Sequence, residues 1–129
     1  MTGEDRATPI RVMLVADQQV FMCLMEAALL RQPDLEVVAQ AGSLAEAQSH
    51  AQTVTADVAV LDLSLPDGNG ADLISDLRGP NPGVGVLIVS SSLDPASLEG
   101  AAEAGADEIM DKFAPLEDIL DAVRRLGSA

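Results

Sequence analysis

Five apolar runs of strand length recur along this 129-residue chain, each followed by a stretch with helical spacing: Ile10 to Ala16, Leu35 to Ala39, Asp57 to Asp62, Val84 to Val89 and Ile109-Met110. Runs that are apolar throughout, instead of alternating with polar residues, need cover on both faces of a sheet. Connections are short, so each run joins the next through one crossover helix. The pattern predicts an α/β fold, a single doubly wound five-stranded parallel sheet. Of the two common doubly wound orders, five strands suggest 2-1-3-4-5, the flavodoxin-like one, which sets the first and third strands side by side. With 48% hydrophobic residues, a chain of this length builds one core and one domain, here residues 10–127, preceded by a loose polar tail over residues 1–9.

The helices carry their own punctuation. Val20 to Arg31 places Val20, Phe21, Leu24, Ala28 and Leu29 at helical spacing and stops at Pro33-Asp34. Ser43 opens a second helix, with Glu46 at the third following position as a capping box. A short third helix over Ala71 to Arg78 closes at Gly79-Pro80. Asp94 caps a fourth, with Pro95 at its first position and Gly105 at its end. Pro115 to Leu126 forms a fifth, with Leu116, Ile119, Leu120 and Val123 on one face.

Composition excludes several functions. A formal net charge of −14 opposes binding to phosphate backbones or anionic lipid, so this chain by itself is expected to contact neither nucleic acid nor membrane. No apolar run approaches the ~20 residues of a membrane helix. One cysteine, Cys23, cannot form an internal disulfide, and no amino-terminal signal segment is visible, which places the chain in a reducing cytoplasm. Cys23 reads as a core or boundary side chain, His50 as solvent-facing, and Met13, Met22 and Met25 as packing.

Chemistry gathers at the carboxyl ends of the strands, where open α/β sheets bind ligands. In the expected order Asp17, just after strand one, and Asp62, at the end of strand three, stand on neighbouring strands ~4.8 Å apart. Two carboxylates so close invite a cation, and an all-oxygen site suits Mg²⁺ better than zinc. Ser90 and Lys112, closing strands four and five, reach the same rim. An acid pair, a hydroxyl and an ammonium match a carboxylate nucleophile that accepts a phosphoryl group. Taken singly the residues are bland: Asp62 is a turn cap, Lys112 a surface lysine, and Ser90 a turn residue with Ser91 as an off-by-one alternative.

The segments Ile10-Arg11-Val12-Met13-Leu14-Val15-Ala16-Asp17, Val60-Leu61-Asp62-Leu63-Ser64-Leu65-Pro66 with Gly70, Leu87-Ile88-Val89-Ser90, and Ala104-Gly105-Ala106 before Met110-Asp111-Lys112 occur in order at fixed spacings. The chain thereby resembles the CheY-like receiver domains of two-component response regulators from about Ile10 to Leu126, closest in wording to receivers of LuxR/NarL-type DNA-binding regulators. The resemblance implies a phosphoacceptor Asp62, a Mg²⁺ site made of Asp17, Asp62 and the backbone carbonyl of Ser64, and phosphoryl contacts from Ser90 and Lys112. It implies a sensor histidine kinase as donor and a signal passed through helix four, strand five and helix five, with a homodimer left open. The protein is then a switch rather than an enzyme, and the chain is expected to be the receiver half of a transcription regulator whose DNA-binding domain lies carboxyl-terminal to it.

Departures from the family pattern qualify this. Ala16 stands where receivers carry the first of two adjacent acids, so weakened Mg²⁺ binding is expected. Ile109 replaces the usual Tyr or Phe, and a side chain stiff at χ1 without a hydroxyl weakens the family's switch coupling. Phe113 follows Lys112 where many receivers have a cis proline, so that loop is expected to differ. A pseudo-receiver acting as a phosphorylation-independent interaction module is the rival reading. A dehalogenase-type phosphatase also uses an Asp nucleophile, but it wants a second Asp where this chain has Ser64.

Overall fold

Strand β1 (Ile10–Val15) pairs in parallel with β2 (Leu35–Ala41) on one side and β3 (Val58–Asp62) on the other in a computed structural model that describes residues 8–128. Beyond β3 come β4 (Gly85–Ser90) and β5 (Glu108–Asp111), again parallel, giving the five-stranded order β2-β1-β3-β4-β5. This is the doubly wound arrangement the alternation predicts. The expected tail over residues 1–9 falls, except for Thr8 and Pro9, outside the described residues.

Both sheet faces are covered, which is why the strand sequences are apolar throughout. Val12, Leu14, Val58, Val60, Leu87 and Val89 pack against α1 (Gln19–Leu30) and α5 (Leu116–Gly127). Met13, Val15, Ala59, Leu61, Val86 and Ile88 pack against α2 (Leu44–Thr53), α3 (Leu73–Arg78) and α4 (Pro95–Ala104). The caps follow the expected chemistry. Ser43 Oγ accepts from Glu46 N at 3.1 Å, Asp94 accepts from Ser97 N at 3.1 Å, and Gly105 ends α4 at a left-handed φ of 106°.

Four expectations need correction. The buried row of α1 is Phe21, Met25 and Leu29, while Val20 and Leu24 are 74% and 51% exposed. Apolar residues surround this helix almost completely, so spacing could not choose a face. Cys23, expected at the core boundary, is exposed, and His50, expected in solvent, is half-buried. The third helix begins later than Ala71: a 3₁₀ turn over Gly70–Asp72 precedes α3, and a two-stranded antiparallel ladder of Ser64–Leu65 with Gly68–Asn69 precedes that turn. Among the described residues no helix is long and apolar enough to cross a membrane.

Candidate functional site

Register places the candidate residues. Val15 pairs with Leu61 and Asp62 with Val89, so the ends of β1, β3 and β4 are level, and Asp17 follows one residue beyond Ala16. Two backbone bonds lace the rim: Leu63 N donates to Val89 O at 3.0 Å and Lys112 N donates to Ser90 O at 2.9 Å. The second bond carries the chain from β5 over the end of β4 and turns the Lys112 side chain toward Asp62.

Lys112 Nζ donates to Asp62 Oδ2 at 2.5 Å, and the two side chains are 3% and 5% exposed. Asp62 Oδ1 accepts from Ser64 N at 3.1 Å. In this nearly dry place the carboxylate is thus met by one side-chain ammonium and one backbone amide. A pocket of about 280 Å³ opens over it, lined by Asp17, Gln18, Asp62, Ser64, Leu65, Pro66, Ser91 and Lys112. Asp17 and Ser64 are exposed at its edge, and Ala16 beneath them is buried among apolar side chains.

Of the residues singled out from the sequence, Asp17, Asp62, Ser64 and Lys112 thus share one pocket. Ser90 does not line it. Its hydroxyl donates to Ser92 O at 2.7 Å and accepts from Ser92 N at 3.2 Å, closing a turn within the β4–α4 loop, while Ser91 faces the pocket. Ile109 is half-buried against the core on the α2–α3–α4 side. The Lys112–Phe113 bond is trans, as is every peptide among the described residues, and Phe113 is 71% exposed.

The donor set suits a hard cation. Among the described residues no three His, Cys, Asp or Glu side chains cluster to hold an ion by themselves, and a metal in this pocket would have the Asp17 and Asp62 carboxylates, backbone oxygens and water to draw on. Mg²⁺ retains several waters and commonly uses one or two carboxylates, so the residues present fit it.

The structure gives Gly70, quoted in the sequence motif without a role, its physical reason, and adds Asp67 and Phe21, which sequence reasoning missed. Gly70 N donates to Leu63 O at 2.8 Å, and a Cβ on Gly70 would collide with the Asp62 carbonyl oxygen, so only glycine lets the loop close under the end of β3. Asp67 fastens the same loop to α2 by accepting from Leu44 N at 2.7 Å and Ala45 N at 2.9 Å. These amides hold the Asp67 carboxyl below its usual range, Ala45 contributing most. Phe21 stands with its ring centroid 5.1 Å from Lys112 Nζ. No sequence signal announces this contact: Lys112 is the chain's only lysine and Phe21 one of its two aromatic residues, but they lie on distant segments.

Comparison with known proteins agrees with this geometry. Residues 12–124 match the response regulator receiver domain family. The DNA-binding transcriptional activator DevR/DosR of Mycobacterium tuberculosis is 36% identical over 119 residues, 92% of this chain and 55% of that protein. The chain spans about half the length of the curated relatives it matches. Among solved structures, the signal receiver domain of the putative response regulator NarL from Mycobacterium tuberculosis superposes with a TM-score of 0.88 at 26% identity, covering 95% of this chain and 98% of that one. A Burkholderia pseudomallei response regulator described with a phosphorylated aspartic acid, calcium ion and citrate gives a TM-score of 0.79 at 26% identity, covering 92% of this chain and 69% of that one.

Proposed function

The chain belongs to the response regulator receiver domain family, and from that premise we propose that it accepts a phosphoryl group on Asp62 from a histidine kinase and relays the event to an output. The observation that carries this reading is the buried Asp62–Lys112 pair at the floor of an open, acid-edged pocket. An ionised carboxylate needs no base to act as nucleophile. A carboxylate oxygen of Asp62 forms a bond to phosphorus as the phosphorus–nitrogen bond of the donor phosphohistidine breaks, its electron pair leaving on the imidazole nitrogen. Lys112 turns its ammonium from the carboxylate to a transferred oxygen, and Ser91 at the pocket wall, or Ser90 if its turn opens, offers a hydroxyl.

Asp17, Asp62 and the Ser64 carbonyl would hold Mg²⁺, which when bound supplies charge neutralisation for the phosphoryl oxygens. A related response regulator is described with a phosphorylated aspartic acid and a divalent ion, which supports both assignments. The output is transcriptional in this reading, by analogy with the relative named a DNA-binding transcriptional activator. A net charge of −14 leaves DNA contact to another domain, and a cytoplasmic kinase partner implies a cytoplasmic location.

Two observations favour the rival reading of a phosphorylation-independent interaction module: Ala16 replaces an acid, and the Ser90 hydroxyl is committed to Ser92. Intact mass measurement after incubation with acetyl phosphate and Mg²⁺ separates the readings. Phosphoryl acceptance predicts a single adduct in the native chain and none in Asp62→Asn; no adduct in the native chain, or one that persists in the variant, supports the rival.

A further inference from the structure

An ammonium carries three donor hydrogens, yet Lys112 Nζ has a single hydrogen-bond acceptor among the described residues, Asp62 Oδ2, and its side chain is 3% exposed. The ring of Phe21 occupies another side of it, with its centroid 5.1 Å from Nζ. Phe21 is itself only 9% exposed, fixed on α1 in the row that continues through Met25 and Leu29 into the core shared with α5. Of the chain's two aromatic residues the other, Phe113, is 71% exposed.

We propose that Phe21 is a positioning residue for phosphoryl transfer: its ring face holds the Lys112 ammonium at the floor of the Asp62 pocket without a hydrogen bond. The physical point is directionality. A carboxylate fixes one N–H along one line, whereas the ring quadrupole attracts the whole cation and tolerates its rotation. Lys112 can then turn a hydrogen from Asp62 to an incoming phosphoryl oxygen while its charge keeps a partner throughout. An aliphatic residue in the same place fills the space but leaves the cation dependent on the carboxylate alone. The inference rests on the proposed function only where it assigns Lys112 a phosphoryl contact; the Phe21–Lys112 linkage stands apart from it.

The test uses that separation. Because Lys112 is the only lysine, carbon-13 lysine labelling isolates its side chain, which reports the ring-current shift without metal or phosphodonor. Phe21→Leu is expected to remove the ring-current shift on the Lys112 side chain, and Phe21→Tyr to retain it. With acetyl phosphate and Mg²⁺, the maximal rate of adduct formation should fall about three- to tenfold in Phe21→Leu and recover in Phe21→Tyr, the half-saturating donor concentration staying constant. Melting temperatures verify that the variants fold, and Phe21→Met replaces Phe21→Leu if the latter does not. An unchanged Lys112 side-chain chemical shift in Phe21→Leu, or equal slowing by Leu and Tyr, overturns the proposal. If the native chain takes up no phosphoryl group, the proposed function falls and the positioning role with it, while the ring-current shift still decides the linkage.

Discussion

Asp62 and Lys112 depend on one another more than either depends on its own strand. Burial makes a lone charge costly, so deleting one partner leaves the other unsatisfied, whereas replacing both by neutral groups removes the conflict. A double-mutant cycle with Asp62→Asn and Lys112→Met should therefore give a coupling of about 1–3 kcal/mol in urea unfolding, with the double variant more stable than the sum of the single changes predicts. Strict additivity would mean that the 2.5 Å bond contributes nothing to folding. Gly70 gives a second prediction at this scale. Alanine there meets the Asp62 carbonyl oxygen, part of the rigid β3 backbone, so Gly70→Ala should cost about 2–4 kcal/mol and disturb the acceptor site with it, seen as a lower urea midpoint. The rim position of Lys112 and the place of Gly70 in the motif were readable beforehand, but the direct bond to Asp62 and the close approach of Gly70 to its carbonyl were not. Lys112 by itself looks like any exposed lysine, and what makes it a site residue is a carboxylate fifty positions earlier in the chain.

Helix α2 is the element most visibly tied to the site. Asp67, from the loop after the acceptor, takes the amides of Leu44 and Ala45, and Ser43 takes that of Glu46, so the first three amides of α2 are satisfied from two directions. Ser43→Ala should destabilise the fold by about 1 kcal/mol, measured by urea denaturation. The acid response follows from sign. Asp67 and Asp94 carboxyls are held below their ordinary value of 3.8, Asp67 chiefly by the Ala45 amide and Asp94 chiefly by the Ser97 hydroxyl. A carboxyl depressed in the folded state stabilises it above the unfolded value and loses that contribution as pH falls through the folded value. The urea midpoint should consequently drop on acidification below 3.8, less steeply in Asp67→Asn and in Asp94→Asn than in the native chain. Local signals announced these caps, since Ser43-x-x-Glu46 and Asp94-Pro95 are start signals in themselves. The orientation of α1 gave no such signal, because nearly every position from Val20 to Leu30 is apolar and only the packing against the sheet and α5 decides which row is buried.

For the molecule as a whole, Ala16 stands just beyond β1, next to Asp17 at the rim that carries Asp62. Ala16 is 4% exposed and belongs to the core beneath α1 and α5, so Ala16→Asp should weaken the metal-free fold while tightening Mg²⁺ binding by roughly tenfold or more. Calorimetry measures both, which suits a chain without Trp or Tyr; equal Mg²⁺ affinity in the two proteins would show that position 16 no longer bears on the metal. Strand number, sheet order, the helix caps and the gathering of Asp17, Asp62 and Lys112 at one rim were all legible in the residues, because apolar runs and start signals are local and a parallel sheet brings its strand ends together. Tertiary structure alone decided that the Ser90 hydroxyl turns into its own loop, that Ser91 faces the pocket, that Asp67 holds α2, and that Phe21 backs Lys112. Those outcomes depend on side-chain direction and on contacts between distant segments, and residue spacing along a chain carries neither.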